Sequence, residues 1–345
     1  MSRAIPKRNK LAVLARNKNA DESLRAVVAL GVFDKSRKII KRESSVEIPV
    51  IRSVSGYEIV VQEEPVYYRK TPDLLHALQG KIPQECINLR PRGWFLLGDI
   101  IIVKIHPALR EHEQHIGRAL LDFYPRCRSV LADEGILGPF REPARRLIVG
   151  EKTQTVHREN GVIFNLDARL VMFSPGNLME RIRMSRLGKG EYVVDMFAGI
   201  GYFSIPMAVH SRPRKIMAIE WNPNAYHYLC QNIRQNHVEK IVEPVQGDCA
   251  KATPEGVADR VVMGMVQVTD RYLQKGISAL KPGGVLHYHQ TIPSRMYPAA
   301  AIEDVTQAAK ALGCRAEILG HVLVKKFSPG IVHAVIDARI DRDLL

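Results

Sequence analysis

The stretch VVDMFAGIGYFSIP, residues 193–206, passes from β-branched residues through an acid and small residues into apolar residues. This order predicts a buried strand that ends at Asp195, a turn that contains Gly199 and Gly201, and a helix that begins after the turn. Glycines let the backbone come close to a ligand, because a Cβ atom would push the ligand away. Ligands of doubly wound sheets bind at the carboxyl ends of the strands, so this turn is the centre of a predicted binding site.

The turn lacks the full fingerprint of dinucleotide-binding folds, because the position of the third glycine holds Ser204. Two later strands nevertheless end at groups that suit a nucleoside. Glu220 follows the glycines by about 20 residues, where a carboxylate accepts hydrogen bonds from ribose hydroxyls. At the next strand end, Asp248 is placed to bond an adenine amino group and the Cys249 backbone to read a ring nitrogen. These strand ends outline a nucleoside without a pyrophosphate, which fits S-adenosylmethionine.

From residue 171 to the C-terminus, predicted strands alternate with predicted helices. This alternation is typical of a parallel sheet with helices on both faces, which places this part of the chain in the α/β class. Two strands follow each other directly at residues 320–328 and 331–340. We therefore expect the last strand to insert antiparallel to its neighbours.

Composition and periodicity divide the chain into four predicted regions. They are a small basic module at residues 1–62, a polar linker at 63–93, a small α+β domain at 94–170 and an S-adenosylmethionine-dependent catalytic domain at 171–345. In the basic module, residues 20–30 have helical spacing and precede a glycine that ends the helix. In the α+β domain, the letters ENG at residues 159–161 predict the turn of a hairpin.

The charge of the chain favours a polyanionic partner. Its 50 Lys and Arg residues outnumber 36 Asp and Glu residues, which gives a net charge of +14. Residues 1–62 alone hold 13 basic against 6 acidic residues, which is half of that net charge. Nucleic acid is the commonest partner of so basic a chain, and a merely basic soluble protein is the alternative.

Other patterns argue against metal sites and membrane spans. The five cysteines lie far apart without a Cys-x-x-Cys pair, which disfavours a zinc ribbon and a disulfide framework. The basic N-terminus lacks the apolar run of a signal peptide, and no stretch approaches the 18 apolar residues of a membrane helix. We expect a monomeric cytoplasmic protein that holds no metal.

Four motifs together resemble a known family: DMFAGIGYFSIP, IEWNP, TVHRENGVIF and FSPGNLMERIRM. They are similar to those of the archaeal tRNA guanosine-37 methyltransferases and of the wybutosine-pathway aminocarboxypropyltransferases. The resemblance covers residues 94–345 and implies a class I methyltransferase-like (Rossmann-type) domain preceded by small α+β domains. Full-length members also carry a small N-terminal module that grips the outer corner of tRNA, as residues 1–62 would do.

Two segments favour the aminocarboxypropyltransferases over the methyltransferases. The latter carry an Asn-Leu-Pro type motif after the fourth strand, whereas this chain reads MGMVQVT there, with Gln267 and Thr269. The segment SPGN ahead of Glu180 also follows the aminocarboxypropyltransferases. The resemblance therefore implies transfer of the 3-amino-3-carboxypropyl group of S-adenosylmethionine to 4-demethylwyosine at position 37, in the anticodon loop of phenylalanine tRNA.

The resemblance also implies roles for individual residues. Ser174 and Arg181 would hold the methionine portion of the co-substrate, with the Arg181 guanidinium on its carboxylate. Glu180 would orient Arg181 or receive a proton from the base. His287 and His289 share one face of the fifth strand, and histidines in such positions are more often satisfied core residues than catalysts.

The sequence leaves two alternative functions open. One is N1-methylation of guanosine at position 37, which would transfer the methyl group instead. The other is a tRNA-binding module without catalysis. The complete set of strand-end groups disfavours that module: Asp195, Gly199, Gly201, Glu220 and Asp248.

Overall fold

A computed structural model gives the fold of the protein and describes residues 10–67 and 73–342. The chain forms two compact units, of which the first ends at Asp73 and the second begins at Leu74. The first unit contains β1 (Leu11–Arg16), α1 (Ala20–Ala29), β2 (Ile40–Lys41), β3 (Ser45–Pro49) and β4 (Ile59–Val61). Its strands pair antiparallel in the order β2-β3-β1-β4.

Helix α1 ends where the sequence predicts. Leu30 follows the last helical residue, and Gly31 takes a positive φ of 65° that a residue with a Cβ atom rarely adopts. Val27 of this helix is buried with apolar residues of β1 and β3. Arg37 is also fully buried. The burial of its charge is tolerated because Asp34, Gln62 and two backbone carbonyls accept hydrogen bonds from its guanidinium.

The second unit opens with a small α+β layer. Its elements are α2 (Leu74–Leu78), β5 (Trp94–Leu97), β6 (Ile100–Val103), α3 (Glu113–Phe123), β7 (Ser129–Leu137) and β8 (Glu142–Val149). The four strands form a sheet in the order β5-β6-β7-β8. Ile116 and Leu120 of α3 are buried in the same cluster as Leu74 and Leu78 of α2. Residues 74–78 of the predicted linker thus form a packed helix, and the finer division at residues 62, 93 and 170 stays a prediction.

A hairpin follows, formed by β9 (Gln154–Glu159) and β10 (Val162–Asp167). The ENG turn is confirmed, with φ of 47° at Asn160 and 74° at Gly161. The remaining elements are α4 (Leu178–Met184), β11 (Tyr192–Asp195), α5 (Ser204–His210), β12 (Lys215–Glu220), α6 (Pro223–Gln235), β13 (Val242–Gln246), α7 (Cys249–Ala252), β14 (Ala258–Met263), α8 (Leu273–Ala279), β15 (Leu280–Pro293), α9 (Ala299–Ala311), β16 (Cys314–Ser328) and β17 (Ile331–Arg342).

The central sheet has seven strands in the order β13-β12-β11-β14-β15-β17-β16. Strands β11 to β15 pair parallel, and β17 inserts antiparallel between β15 and β16, as the sequence predicts. The strand order reverses between β11 and β14, because β12 and β13 extend the sheet on one side and β14 and β15 extend it on the other. Doubly wound sheets bind ligands at this reversal. The predicted α/β class with a Rossmann-type sheet is confirmed.

Candidate active site

A cavity of about 650 Å³ opens at the carboxyl ends of the central strands. Residues that follow β11, β12, β13 and β14 line it, so all strand ends around the reversal of strand order contribute. Its size falls within the range of small-molecule and cofactor sites, about 300–1,000 Å³. The described residues that line it all belong to the second unit.

The two glycines of the turn after β11 serve different purposes. Gly199 lines the cavity with φ of 58°, and a Cβ atom there would lie 2.3 Å from the Tyr202 ring. Gly201 faces the core instead, because its Cβ atom would meet the side chain of Ile205 at 2.4 Å. The described cavity lining includes Gly199 but not Gly201. The first glycine is therefore placed for close approach of a ligand, and ligand contact by Gly201 stays a prediction.

Asp195 supports the turn from behind. Its carboxylate accepts hydrogen bonds from the Ser204 hydroxyl at 2.5 Å and from the backbone of Phe197 at 3.3 Å. Burial raises the pKa of Asp195 to about 6 despite these bonds. Ser204 thus occupies the place of the missing third glycine as a hydrogen-bond donor. Asp195 is not among the described residues of the cavity lining, so direct contact with a ligand stays a prediction for this residue.

Glu220 lines the cavity at the end of β12. Its two carboxyl oxygens accept hydrogen bonds from the backbones of Gly199 and Asn222, each at 2.7 Å. Burial raises the pKa of Glu220. Each carboxyl oxygen has a second lone pair, so Glu220 holds the turn in place and remains able to accept bonds from ribose hydroxyls.

Asp248 and Cys249 line the same cavity at the start of α7. The Asp248 carboxylate caps this helix by accepting a hydrogen bond from the Ala250 backbone at 2.9 Å. Burial and the charge of Asp248 raise the pKa of Cys249 to about 12, so its thiol stays protonated. A protonated thiol is a poor nucleophile, which leaves these two residues suited to binding rather than to covalent chemistry.

Ser174 and Arg181 line the cavity together with Lys325 of β16. The Lys325 ammonium donates a hydrogen bond to the Ser174 hydroxyl at 2.7 Å. Arg181 is 3% exposed, and its guanidinium bonds both carboxyl oxygens of Glu159, at 2.5 and 2.7 Å, and the Ser174 carbonyl at 2.9 Å. Two of its five N–H groups remain for a ligand carboxylate. Sequence reasoning missed Glu159 and Lys325 as members of this site.

Among the described residues, no hydrogen bond or ion pair joins Glu180 to Arg181, which corrects the predicted orienting role, and the alternative role of proton acceptor stays a prediction. It accepts hydrogen bonds from the guanidinium of Arg183, one turn along α4, at 2.7 and 2.8 Å. Consecutive residues of a helix do not face each other, so the side chains of residues 180 and 181 point in different directions. Glu159 of the hairpin holds the Arg181 guanidinium instead. Glu180 is 2% exposed, burial raises its pKa, and the described cavity lining does not include it.

The loop after β14 forms another part of the cavity lining. Gly264 packs so closely on Phe203 that a Cβ atom would lie 2.6 Å from its ring. Gln267 takes a φ of 80°, and its side-chain oxygen accepts a hydrogen bond from Arg141 at 2.6 Å. A non-glycine residue in this conformation is strained, and such strain concentrates at functional sites. Residues 264–268 line the cavity, so the structure brings the MGMVQVT segment to it.

Two aromatic residues stand at the cavity with substantial exposure. Phe140 is 38% and Trp221 is 50% exposed, and their ring centroids lie 4.9 Å apart in an edge-on contact. Exposed aromatic rings beside a cavity offer surfaces on which a flat base can stack. No periodic pattern marks these two residues, so their pairing is visible only in the fold.

Three histidines lie near the cavity or behind it. His333 of β17 lines the cavity, and its Nε2 lies 3.2 Å from Nδ1 of His289 on β15. His287 bonds Asp337 at 2.6 Å and also contacts Arg260. His287 and His289 are buried on one face of β15, as predicted, whereas sequence reasoning missed the position of His333 at the cavity.

The described residues contain no group of three or more His, Cys, Asp or Glu side chains arranged to hold a metal ion. Among them, no helix has both the length and the apolar character needed to cross a bilayer.

Two family models match the second unit of the chain. Residues 155–319 match the TRM5/TYW2 methyltransferase domain, and residues 74–153 match the TYW2 N-terminal domain. Together they extend from the start of α2 into β16 and include the turn after β11 and the loop after β14.

Curated relatives carry two kinds of names. The tRNA(Phe) (4-demethylwyosine(37)-C(7)) aminocarboxypropyltransferase of Pyrococcus horikoshii is 35% identical, over 78% of this chain and 96% of that protein. The tRNA (guanine(37)-N(1))-methyltransferase Trm5b of Pyrococcus abyssi is 32% identical, over 96% of this chain and 99% of that protein. Among solved structures, M. jannaschii TYW2 in complex with AdoMet is 35% identical with a TM-score of 0.60, over 72% of this chain and all of that one.

Proposed function

The chain belongs to the TRM5/TYW2 family, and we propose that it is an S-adenosylmethionine-dependent tRNA aminocarboxypropyltransferase. It transfers the 3-amino-3-carboxypropyl group of S-adenosylmethionine to carbon 7 of 4-demethylwyosine at position 37 of tRNA(Phe). The relatives that carry this activity in their names are 35% and 39% identical to the chain. S-adenosylmethionine is consumed as a co-substrate.

One observation carries this proposal: a single cavity is lined both by groups for an adenosine and by cations for an amino-acid arm. Gly199, Glu220 and Cys249 supply the first set, and Arg181 and Lys325 supply the second. A carboxylate bound by two cations is fixed in position, and fixed geometry decides which carbon of the sulfonium faces the acceptor. The loop with Gln267 then replaces the Asn-Pro pair expected of a guanosine methyltransferase.

The residue roles are proposals built on these contacts. Glu220 accepts hydrogen bonds from the ribose, and Asp248 and the Cys249 backbone bind the adenine. Arg181, which Glu159 holds in place, donates its remaining N–H groups to the carboxylate of the arm. Because the sulfonium is already a good leaving group, positioning and exclusion of water supply most of the acceleration.

The partner is tRNA, and we propose phenylalanine tRNA bound through its anticodon loop. The net charge of +14 supports a polyanionic partner, and half of that charge lies in residues 1–62. We further propose that the protein acts as a monomer in the cytoplasm. Light scattering of the protein with and without tRNA tests the monomer, because a dimer would double the mass of the free protein.

The nucleoside co-product tests the proposed reaction. The protein is incubated with S-adenosylmethionine and tRNA that carries 4-demethylwyosine, and the small products are separated by chromatography. Attack on the arm releases methylthioadenosine in step with base modification, whereas attack on the methyl group releases S-adenosylhomocysteine. If S-adenosylhomocysteine is the only co-product, the proposed function is wrong.

N1-methylation of guanosine 37 is the second candidate, and a specific observation favours it. The Trm5b relative spans 96% of this chain, whereas the aminocarboxypropyltransferase relatives span 78% and 71%. The same incubation with tRNA that carries unmodified guanosine at position 37 tests this candidate. We expect no methyl transfer to that tRNA.

A further inference from the structure

A buried pair of histidines connects the cavity with the protein interior. His333 lines the cavity and is 2% exposed, and its Nε2 lies 3.2 Å from Nδ1 of the fully buried His289. In the register of the sheet, His333 is paired with Lys325, so it lies beside a cation that we assign to the amino-acid arm. The histidine pair therefore reaches the part of the cavity where the transferred group would lie.

His289 has an open hydrogen-bonding position on its far side. Among the described residues, none forms a hydrogen bond with its buried Nε2. The nearest acidic atom is Oε1 of Glu180, at 3.7 Å. A buried polar atom without a partner costs free energy, so its retention beside a carboxylate calls for an explanation. A proton that moves between the two groups provides one.

The polar chain continues from Glu180 toward solvent. Each member contacts the next through hydrogen bonds of 2.5 to 2.9 Å: Glu180 with Arg183, Arg183 with Asp337, Asp337 with His287, His287 with Arg260, and Arg260 with Glu191. Glu191 is 29% exposed, so the chain ends at the surface. If a proton binds Glu180, the hydrogen bonds of this connected network can adjust to the change in its charge.

Both histidines are neutral in the resting protein. Burial and the charge of Lys325 lower the pKa of His333 to about 4, and burial lowers the pKa of His289 well below its usual value. A neutral pair bonded in this way has two possible arrangements of its protons. In the one that directs an N–H of His289 toward the Glu180 carboxylate, Nε2–H of His333 donates to Nδ1 of His289. This arrangement leaves Nδ1 of His333 free of hydrogen and able to accept a proton.

We propose that His333 accepts the proton that the acceptor ring loses, and that His289 passes the charge on to Glu180. The proposal rests on the proposed function. The ring carbon bonds to Cγ of the arm, and the sulfur–Cγ bond breaks with its electron pair on sulfur, which gives neutral methylthioadenosine. The carbon–hydrogen bond then breaks, its electron pair returns to the ring, and the proton goes to Nδ1 of His333. Nε2–H of His333 moves to Nδ1 of His289. Nε2–H of His289 moves to Glu180 when the two atoms, 3.7 Å apart in the resting protein, approach to hydrogen-bonding distance.

Other titratable groups of the cavity suit this step less well. The Cys249 thiol is held protonated by its raised pKa of about 12. Both oxygens of Glu220 accept backbone hydrogen bonds at the proposed adenosine end. Glu180 is absent from the described cavity lining, so the histidine pair supplies the path by which it would receive a proton.

The variant His333→Asn tests the proposal, with the exposed His321→Asn on β16 as the control. Three quantities are measured: affinity for S-adenosylmethionine, affinity for methylthioadenosine, and the single-turnover rate on precursor tRNA whose acceptor carbon carries hydrogen or deuterium. In the wild type, proton removal is fast and the rate should not respond to deuterium. In His333→Asn we expect unchanged affinities, a rate lowered by about a hundredfold, and a new primary isotope effect.

Three results would overturn the proposal: an unchanged rate, a lowered rate without an isotope effect, or lost affinity for S-adenosylmethionine with normal affinity for methylthioadenosine. The last pattern would show that His333 binds the arm. If His333→Asn binds neither nucleoside, His289→Leu carries the test, because it keeps His333 and removes its proton acceptor. That variant should also be slow and deuterium-sensitive, and a wild-type rate in it would reject the relay. The wild-type co-product separately tests the proposed function.

Discussion

At the scale of single residues, the pair of Glu159 and Arg181 decides how the arm-binding cation is held. Burial alone would raise the pKa of Glu159, but hydrogen bonds from His157 and Arg181 outweigh it and lower that pKa to about 2. The charged carboxylate is therefore the form that stabilises the fold. This stabilisation is complete above the ordinary pKa of 4.5 and is lost as the pH falls toward 2.

We predict that Glu159→Gln lowers the free energy of unfolding at pH 7 by about 3 kcal/mol, because Arg181 is left buried without its partner. The difference from the wild type should shrink as the pH falls from 5 toward 3. Urea unfolding at several pH values measures it. Glu317→Gln is the control, since its pair with Arg339 is exposed and should contribute less than about 1 kcal/mol. A difference that is equal at pH 3 and pH 7 would contradict the assignment.

Glu220 offers a second test at this scale. Both of its oxygens accept backbone hydrogen bonds, and the amide nitrogen that Glu220→Gln introduces would have to face a donor instead. We expect affinity for S-adenosylmethionine to fall about ten- to hundredfold, which corresponds to about 1.5–3 kcal/mol. Calorimetry measures it, with the exposed Glu243→Gln on β13 as the control. Equal affinity in wild type and Glu220→Gln would remove Glu220 from the site.

At the scale of elements, asparagine side chains attach the hairpin to α6. The fully buried Asn232 accepts a hydrogen bond from the Asn165 backbone at 2.7 Å and donates to the carbonyls of Asn165 and Ile200 at 3.1 Å. Asn236 makes the same kind of contact with Ile163 of β10. These bonds fix β10, and through it the position of Glu159 on the paired strand β9.

Asn232→Ala should therefore destabilise the protein by about 2–4 kcal/mol, because buried backbone groups of Asn165 and Ile200 lose their partners. Its exposed neighbour on the same helix provides the control: Gln231→Ala should change stability by less than about 0.5 kcal/mol. Denaturant unfolding compares the two variants. Equal stabilities would mean that water replaces the missing amide without cost.

Elements with a local signal are predictable from the sequence, and elements that depend on distant partners are not. Gly31 ends α1, and Asn160 and Gly161 form the hairpin turn. All three residues take a positive φ, which glycine and asparagine adopt readily, so the residue types themselves mark both positions. Helix α2 falls within the predicted linker, since five residues hold too little periodicity to reveal that Leu74 and Leu78 are buried against α3.

The same distinction applies to the candidate site. Gly199, Glu220 and Asp248 follow successive strands, so the rule for parallel sheets is enough to predict that they lie together. Lys325 and His333 come from β16 and β17, and they reach the cavity only through the pairing and packing of those strands. Glu159 of β9 is not among the described residues of the cavity lining, but it bonds Arg181, which is. Proximity in sequence suggests that Glu180 serves Arg181, whereas the helix directs it to Arg183.

At the scale of the whole molecule, charge is distributed unevenly along the chain. Half of the net +14 lies in residues 1–62, whereas the described lining of the cavity belongs to the second unit. Binding of tRNA and binding of S-adenosylmethionine should therefore respond separately to changes in the first unit. Phosphate contacts release counterions, so they also make tRNA affinity depend steeply on salt.

The exposed residues Arg16, Lys18 and Lys41 provide the test of this separation. Arg16 ends β1 opposite Ser45, and Lys41 is paired with Val46, so the three cations surround one end of the first sheet. We expect the triple change to Gln to weaken tRNA binding and to flatten the plot of log affinity against log salt by about 0.9 for each phosphate that the protein no longer binds. Affinity for S-adenosylmethionine should match the wild type, because the described lining of the cavity belongs to the second unit. A wild-type salt slope in the triple variant would place the tRNA-binding surface elsewhere on the protein.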